Sequence, residues 1–118
     1  MEGLTFKRQN SYKVSWRIEM ECENLKNADF FGKSDPFIKI FGQNQDETWA
    51  AVCETETINN DLNPHFAETF LYYPDRYQKL RFEVFDEDPL KEEKIGEVEV
   101  ETEEVLKQRR ENNGVVEL

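Results

Sequence analysis

From residue 12 to residue 22 the chain alternates: Tyr12, Val14, Trp16, Ile18, Met20 and Cys22 are separated by Lys13, Ser15, Arg17, Glu19 and Glu21. A period of two puts all the apolar side chains on one side of an extended chain, which predicts a strand with one wet face. Phe37-Ile38-Lys39-Ile40-Phe41, opened by Pro36 and closed by Gly42, predicts a second strand. Residues 48–56 read as a third, with Trp49, Ala51 and Cys53 expected on one face. Residues 66–72 give a fourth. Leu80, Phe82 and Val84 alternate with Arg81 and Glu83 in a fifth, and residues 95–100 form a sixth, with Val98 and Val100 on one face. Residues 4–7 and 115–118 are candidates for two more.

Between the third and fourth strands, Asn59-Asn60-Asp61-Leu62-Asn63-Pro64 is dense turn chemistry. One segment has a different character. Residues 102–110 begin with Thr102, Glu103 and Glu104, end with Arg109 and Arg110, and are followed by Gly114. A capping residue, acids first and bases last predict a short helix. Many short strands with turns between them and one small helix indicate an antiparallel β-sandwich. The chain shows no internal repeat.

With 118 residues, the expectation is one domain, residues 1–118, around one core. The formal net charge of −11 argues against nucleic acid and against constitutive attachment to anionic lipid, since both need a basic face. Two cysteines, Cys22 and Cys53, are too few for a disulfide framework and read as small buried thiols in a reducing compartment. No apolar run approaches the roughly 20 residues of a membrane span. The N-terminal residues lack the apolar stretch of a signal peptide. The expectation is a soluble, cytoplasmic protein or one domain of a longer one.

Charge becomes specific at two loops. Asp29 and Asp35 lie in the segment after the first long strand, and Asp86 and Asp88 lie after the fifth. Carboxylates brought together from two loops are unstable as bare anions and favour a hard divalent cation with oxygen ligands. Their alternative is ordinary turn formation at strand ends, which Asp35 before Pro36 also suits. An EF-hand is excluded by spacing: counted from Asp86, its obligatory glycine position holds Lys91. His65, the one histidine, has no evident catalytic partner, so an enzyme is not expected.

Three motifs carry a family resemblance: Gly32-Lys33-Ser34-Asp35-Pro36-Phe37-Ile38-Lys39-Ile40, the Asn63-Pro64 turn before Phe66, and Leu80–Asp88 followed by Ile95-Gly96-Glu97. In order and separation they resemble the C2 domains, and within these most resemble the copines. The resemblance implies an all-β fold, an eight-stranded antiparallel Greek-key sandwich with calcium loops at one end. It maps the family's ligands onto Asp29, Asp35, Asp86 and Asp88. Glu93 takes the fifth acidic place, in a third loop one residue shorter than is common, and the backbone carbonyls of Ala28 and Glu87 add further ligands. About two Ca2+ ions are implied.

The resemblance also implies membrane docking. Phe30 and Phe31 sit between the ligands of the first loop; one is free to fold back as a core plug, and the other reading sends at least one into lipid. Leu90 would enter lipid from the third loop, with Lys33 and Lys91 reaching phosphates. The implied function is calcium-dependent binding to anionic, phosphatidylserine-type membrane, with recruitment from cytoplasm to the plasma membrane and an effector domain or protein partner elsewhere. The alternative is a protein-interaction domain that needs no calcium. Residues 48–56 hold no Lys or Arg, so the lysine-rich phosphoinositide patch of some relatives is not expected there.

Overall fold

A computed structural model describes residues 3–11, 15–27 and 32–118, with backbone alone at 6–11. Among the described residues, eight strands form two antiparallel four-stranded sheets. The strands are β1 (Thr5–Ser11), β2 (Ser15–Glu21), β3 (Pro36–Gln43), β4 (Trp49–Glu54), β5 (Thr69–Tyr72), β6 (Lys79–Asp86), β7 (Glu93–Glu101) and β8 (Val116–Glu117). One sheet has the order β5-β2-β1-β8, the other β4-β3-β6-β7. Connections that pass from sheet to sheet make this the expected eight-stranded sandwich.

The period-two pattern does the sorting. Trp16, Ile18 and Met20 of β2 are buried against Ile38 and Ile40 of β3 and Leu80, Phe82 and Val84 of β6. Each such side chain removed from water stabilises the fold by about 1.5–3 kcal/mol before ordering entropy is set against it. One ladder joins β3 to β6 without a break, from Pro36 opposite Asp86 to Gln43 opposite Lys79. The start of β3 and the end of β6 thus lie at the same rim of the sandwich, and that rim carries the candidate loops.

Three local expectations are corrected. Trp49, Ala51 and Cys53 do not share a face, because a bulge at Val52 pairs Phe41 with Ala51 but Ile40 with Cys53. Cys53 thereby joins Val52 against the core, while Ala51 is exposed. The fourth strand is shorter than residues 66–72: Phe66 leaves the ladder, its N–H bonding the Met20 carbonyl, while Glu56 accepts from the Ala67 N–H. Thr102 does not cap the helix. It is the first residue of α1 (Thr102–Glu111), and its hydroxyl donates to the Tyr77 carbonyl at 2.6 Å. The acidic start and basic end of α1 stand as expected, and Gly114 takes the left-handed conformation just beyond it.

Burial pushes both thiols up to about 12, with Glu21 adding to the effect at Cys22 and Glu54 at Cys53. They are poor nucleophiles, as structural cysteines should be.

Gly42 in β3 is needed because the Tyr77 ring lies over it. A Cβ there would stand 2.3 Å from Tyr77 Cγ. Gly42→Ala is therefore expected to displace the ring and cost about 1–3 kcal/mol, read as a lowered midpoint in urea unfolding with an unchanged slope.

Candidate functional site

Along β6 the residues Leu80, Phe82 and Val84 face the core, and the next position of that parity is Asp86. The alternation thus delivers a carboxylate into the mouth between the sheets, where it is 2% exposed. A carboxylate so placed needs compensation. Part of it comes from the start of β3: the Asp35 N–H donates to Asp86 Oδ1 at 2.8 Å. The Glu87 N–H returns a bond to the Asp35 carbonyl at 2.9 Å. Pro36, which has no N–H to give the ladder, suits the first position of the strand. The loop after β2 and the loop after β6 are therefore clamped through Asp35 and Asp86.

A third loop, between β4 and β5, joins them. The Asn60 N–H donates to Asp35 Oδ1 at 2.7 Å. The Asp61 N–H bonds the Ser34 carbonyl, Leu25 N–H the Leu62 carbonyl, and Cys22 N–H the Pro64 carbonyl. On its other side the loop follows β3, with Thr55 N–H on the Ile38 carbonyl and Ile58 N–H on the Pro36 carbonyl. Sequence reading singled out this loop as a turn but assigned it no part in the site. The run of asparagines, able to adopt left-handed backbone and present amides, was the available signal.

The remaining candidates divide. Glu93 stands directly opposite Asp86 in the β6–β7 ladder, because a bulge at Ile95 shifts the register; without it Lys94 would face Asp86. Opposed residues of an antiparallel pair project to the same face. Asp88 follows on the exposed loop, with its Oδ1 accepting the Leu90 N–H at 2.8 Å in a tight turn. Leu90 itself is 94% exposed, the most exposed large hydrophobic side chain among the described residues. Lys33, Glu87 and Lys91 are also exposed. Ala28, Asp29, Phe30 and Phe31 lie outside the described residues.

The donor set is entirely oxygen, which fits a hard cation such as calcium and not a thiolate- or imidazole-loving metal. Among the described residues no three acidic, histidine or cysteine side chains stand close enough together to hold an ion. The described carboxylates thus match calcium in chemistry, with Asp88 held in its own turn. His65, by contrast, belongs to no such group: it is 71% exposed, and its Nδ1 lies 2.9 Å from the Glu21 carboxylate.

The profile of the C2 domain family matches residues 18–118. The chain belongs to the C2 domain family. This C2 domain is 33% identical over 94 residues to Nicotinic receptor-associated protein 1 of Caenorhabditis briggsae, an alignment covering 64% of the chain and 15% of that protein. The same protein of Caenorhabditis elegans matches equally well, so the chain spans only a small part of its curated relatives. The solved structure BON1-C2B superposes with a TM-score of 0.69 at 30% identity, covering 84% of this chain and 72% of that one. A structure of two C2 domains of Extended-Synaptotagmin 2 superposes with a TM-score of 0.54 at 29% identity, covering 87% of this chain and 36% of that one.

Three cations of the second sheet are paired within the domain. On the outer face of the β4-β3-β6-β7 sheet, the Arg81 guanidinium lies 4.2 Å from the Trp49 ring centroid and 5.2 Å from that of Phe41. It also pairs with Glu83 at 3.0 Å. Lys39 lies over Phe85 and pairs with Glu92. Lys94 bridges Glu83 and Glu97. These three cations are engaged by rings and carboxylates. No helix is long and apolar enough to cross a membrane among the described residues.

Burial alone would raise the Glu83 carboxyl, but hydrogen bonds from Lys94 and Arg81 outweigh it and hold it below the usual range. The Glu83 hydrogen bond in turn raises Lys94, against a smaller opposing effect of desolvation. The depressed carboxyl stabilises the fold above its unfolded pKa of about 4.3, and that contribution is lost as pH falls through the folded value. Lys94 runs oppositely: its contribution is complete below about 10.4 and is lost as pH rises through the raised value. Glu83→Gln should cost about 1 kcal/mol at pH 7, discounted for the exposure of Lys94. Urea unfolding at pH 7 and pH 3 should show the difference from wild type shrinking at the lower pH.

Proposed function

We propose that this C2 domain is a calcium-dependent membrane-targeting module that docks on anionic, phosphatidylserine-type lipid. The observation that carries the reading is the juxtaposition at one rim of buried Asp86, clamped Asp35 and opposed Glu93, with Leu90 projecting almost fully exposed from the same loop. Asp29, Asp35, Asp86, Asp88 and Glu93, with the carbonyls of Ala28 and Glu87, would hold about two calcium ions. Calcium held there would supply positive charge against these carboxylates and could draw further ligands from lipid oxygens. To serve as a ligand, Asp88 would exchange its bond to the Leu90 N–H for the cation, and the backbone that carries Leu90 would be released. Leu90 then enters the interface, joined by Phe30 or Phe31, while Lys33 and Lys91 meet phosphates. The site does no bond-making chemistry of its own, so the module acts by moving what it is attached to, from cytoplasm to the plasma membrane.

A second reading, a protein-interaction domain that needs no calcium, is favoured by one observation. Phe70 and Tyr72 are exposed and stacked on each other on β5, and Tyr73, just beyond the strand, is exposed with Arg76 4.2 Å from its ring centroid. The name Nicotinic receptor-associated protein 1 of the relatives also speaks of association with a protein.

Co-sedimentation with phosphatidylserine vesicles separates the two. The calcium reading expects binding with calcium, none with chelator, and loss of the response in an Asp86→Asn, Asp88→Asn double variant. Leu90→Ser should weaken binding about tenfold while leaving calcium uptake intact. Equal sedimentation with calcium and with chelator would sink the calcium reading.

A further inference from the structure

We propose that Asn60 is a positioning residue for Asp35, so that the loop between β4 and β5 sets the strength of the calcium site without supplying a carboxylate to it. The proposal rests on the calcium reading above. Asn60 adopts left-handed backbone, φ 53°, a conformation that asparagine tolerates and β-branched residues do not. That conformation turns its N–H onto Asp35 Oδ1 at 2.7 Å. One side of the Asp35 carboxylate is thereby fixed, while the Asp35 N–H is fixed on Asp86. The two acids are held in a common frame by main-chain amides before any cation arrives. A site assembled in advance binds more tightly than one that must order its ligands on binding.

The neighbouring backbone is closely seated at the same joint. Gly32, at φ 88°, opens the first loop's return toward Asp35, and a Cβ there would lie 3.3 Å from Asn60 Oδ1. The adjacent Asp61 N–H holds the Ser34 carbonyl. Residues 32–35 are thus seated against residues 60 and 61, and the backbone of Asn60 decides where the Asp35 carboxylate points.

The test is calorimetric titration of the intact chain with calcium alone, for wild type, Asn60→Val and Asn60→Gly, with a thermal scan of each. Valine disfavours left-handed backbone and should weaken calcium binding about tenfold. Glycine adopts it freely and should stay within about threefold of wild type. Equal affinity in all three proteins, or equal weakening by valine and glycine, overturns the proposal. So does an Asn60→Val variant that loses thermal stability while keeping its affinity.

Hydrogen exchange in chelator gives a second measurement that needs neither calcium nor the valine variant. The amide of residue 60 should be protected in wild type and released in Asp35→Ala. Identical exchange in both overturns the positioning role. Absence of calcium uptake by wild type, with that protection present, would instead strike the calcium reading and leave the joint standing.

Discussion

The rim of this sandwich depends on one hydrogen bond, from the Asp35 N–H to the Asp86 carboxylate. The β6 alternation carries Asp86 to a core-facing position just past the last hydrophobic layer. There its charge has lost most of its water, and a main-chain amide from the neighbouring strand replaces part of it. The same bond fixes where β3 begins and β6 ends, since Pro36 and Asp86 are the last pair of an eight-residue ladder. Packing of the core therefore positions the site: Ile38, Ile40, Phe82 and Val84 hold the two strands in register, and register holds the acids together.

Around this bond three loops act as one body. Asp35 offers its N–H to Asp86, its carbonyl to Glu87 and its carboxylate to Asn60. Such a joint suits a binding module, because the frame is set by backbone amides and only the outer residues need respond to a ligand. Asp88 and Leu90 are those outer residues, coupled to each other through a single bond. Cations such as Arg81, Lys39 and Lys94 are stacked on rings or paired with glutamates.

The architecture was largely legible in the sequence because both sheets have one wet face, which gives clean alternation along β2, β3 and β6. Reading failed where an extra residue broke that period. The bulge at Val52 turned Cys53 to the core, and no pattern of residue types announces such a bulge. The bulge at Ile95 likewise changed a register, placing Glu93 rather than Lys94 opposite Asp86. Thr102 was misread because its hydroxyl met a distant carbonyl, Tyr77, that local sequence cannot reveal. The carboxylates were visible as residue types, but the amides that hold Asp35 and Asp86 were not. Backbone groups are the same at every position, and only the fold says which of them converge.

The central claim is that the loops after β2, β4 and β6 form one cation-responsive joint. A two-dimensional amide NMR titration with calcium tests it most directly. The account predicts that the amides of Asp35, Asn60, Glu87 and Leu90 shift together with one saturation curve, while those of the Arg81–Trp49 face stay in place. Shifts scattered over the acidic surface with no saturation, or no shift at Leu90 when the other three move, would contradict it.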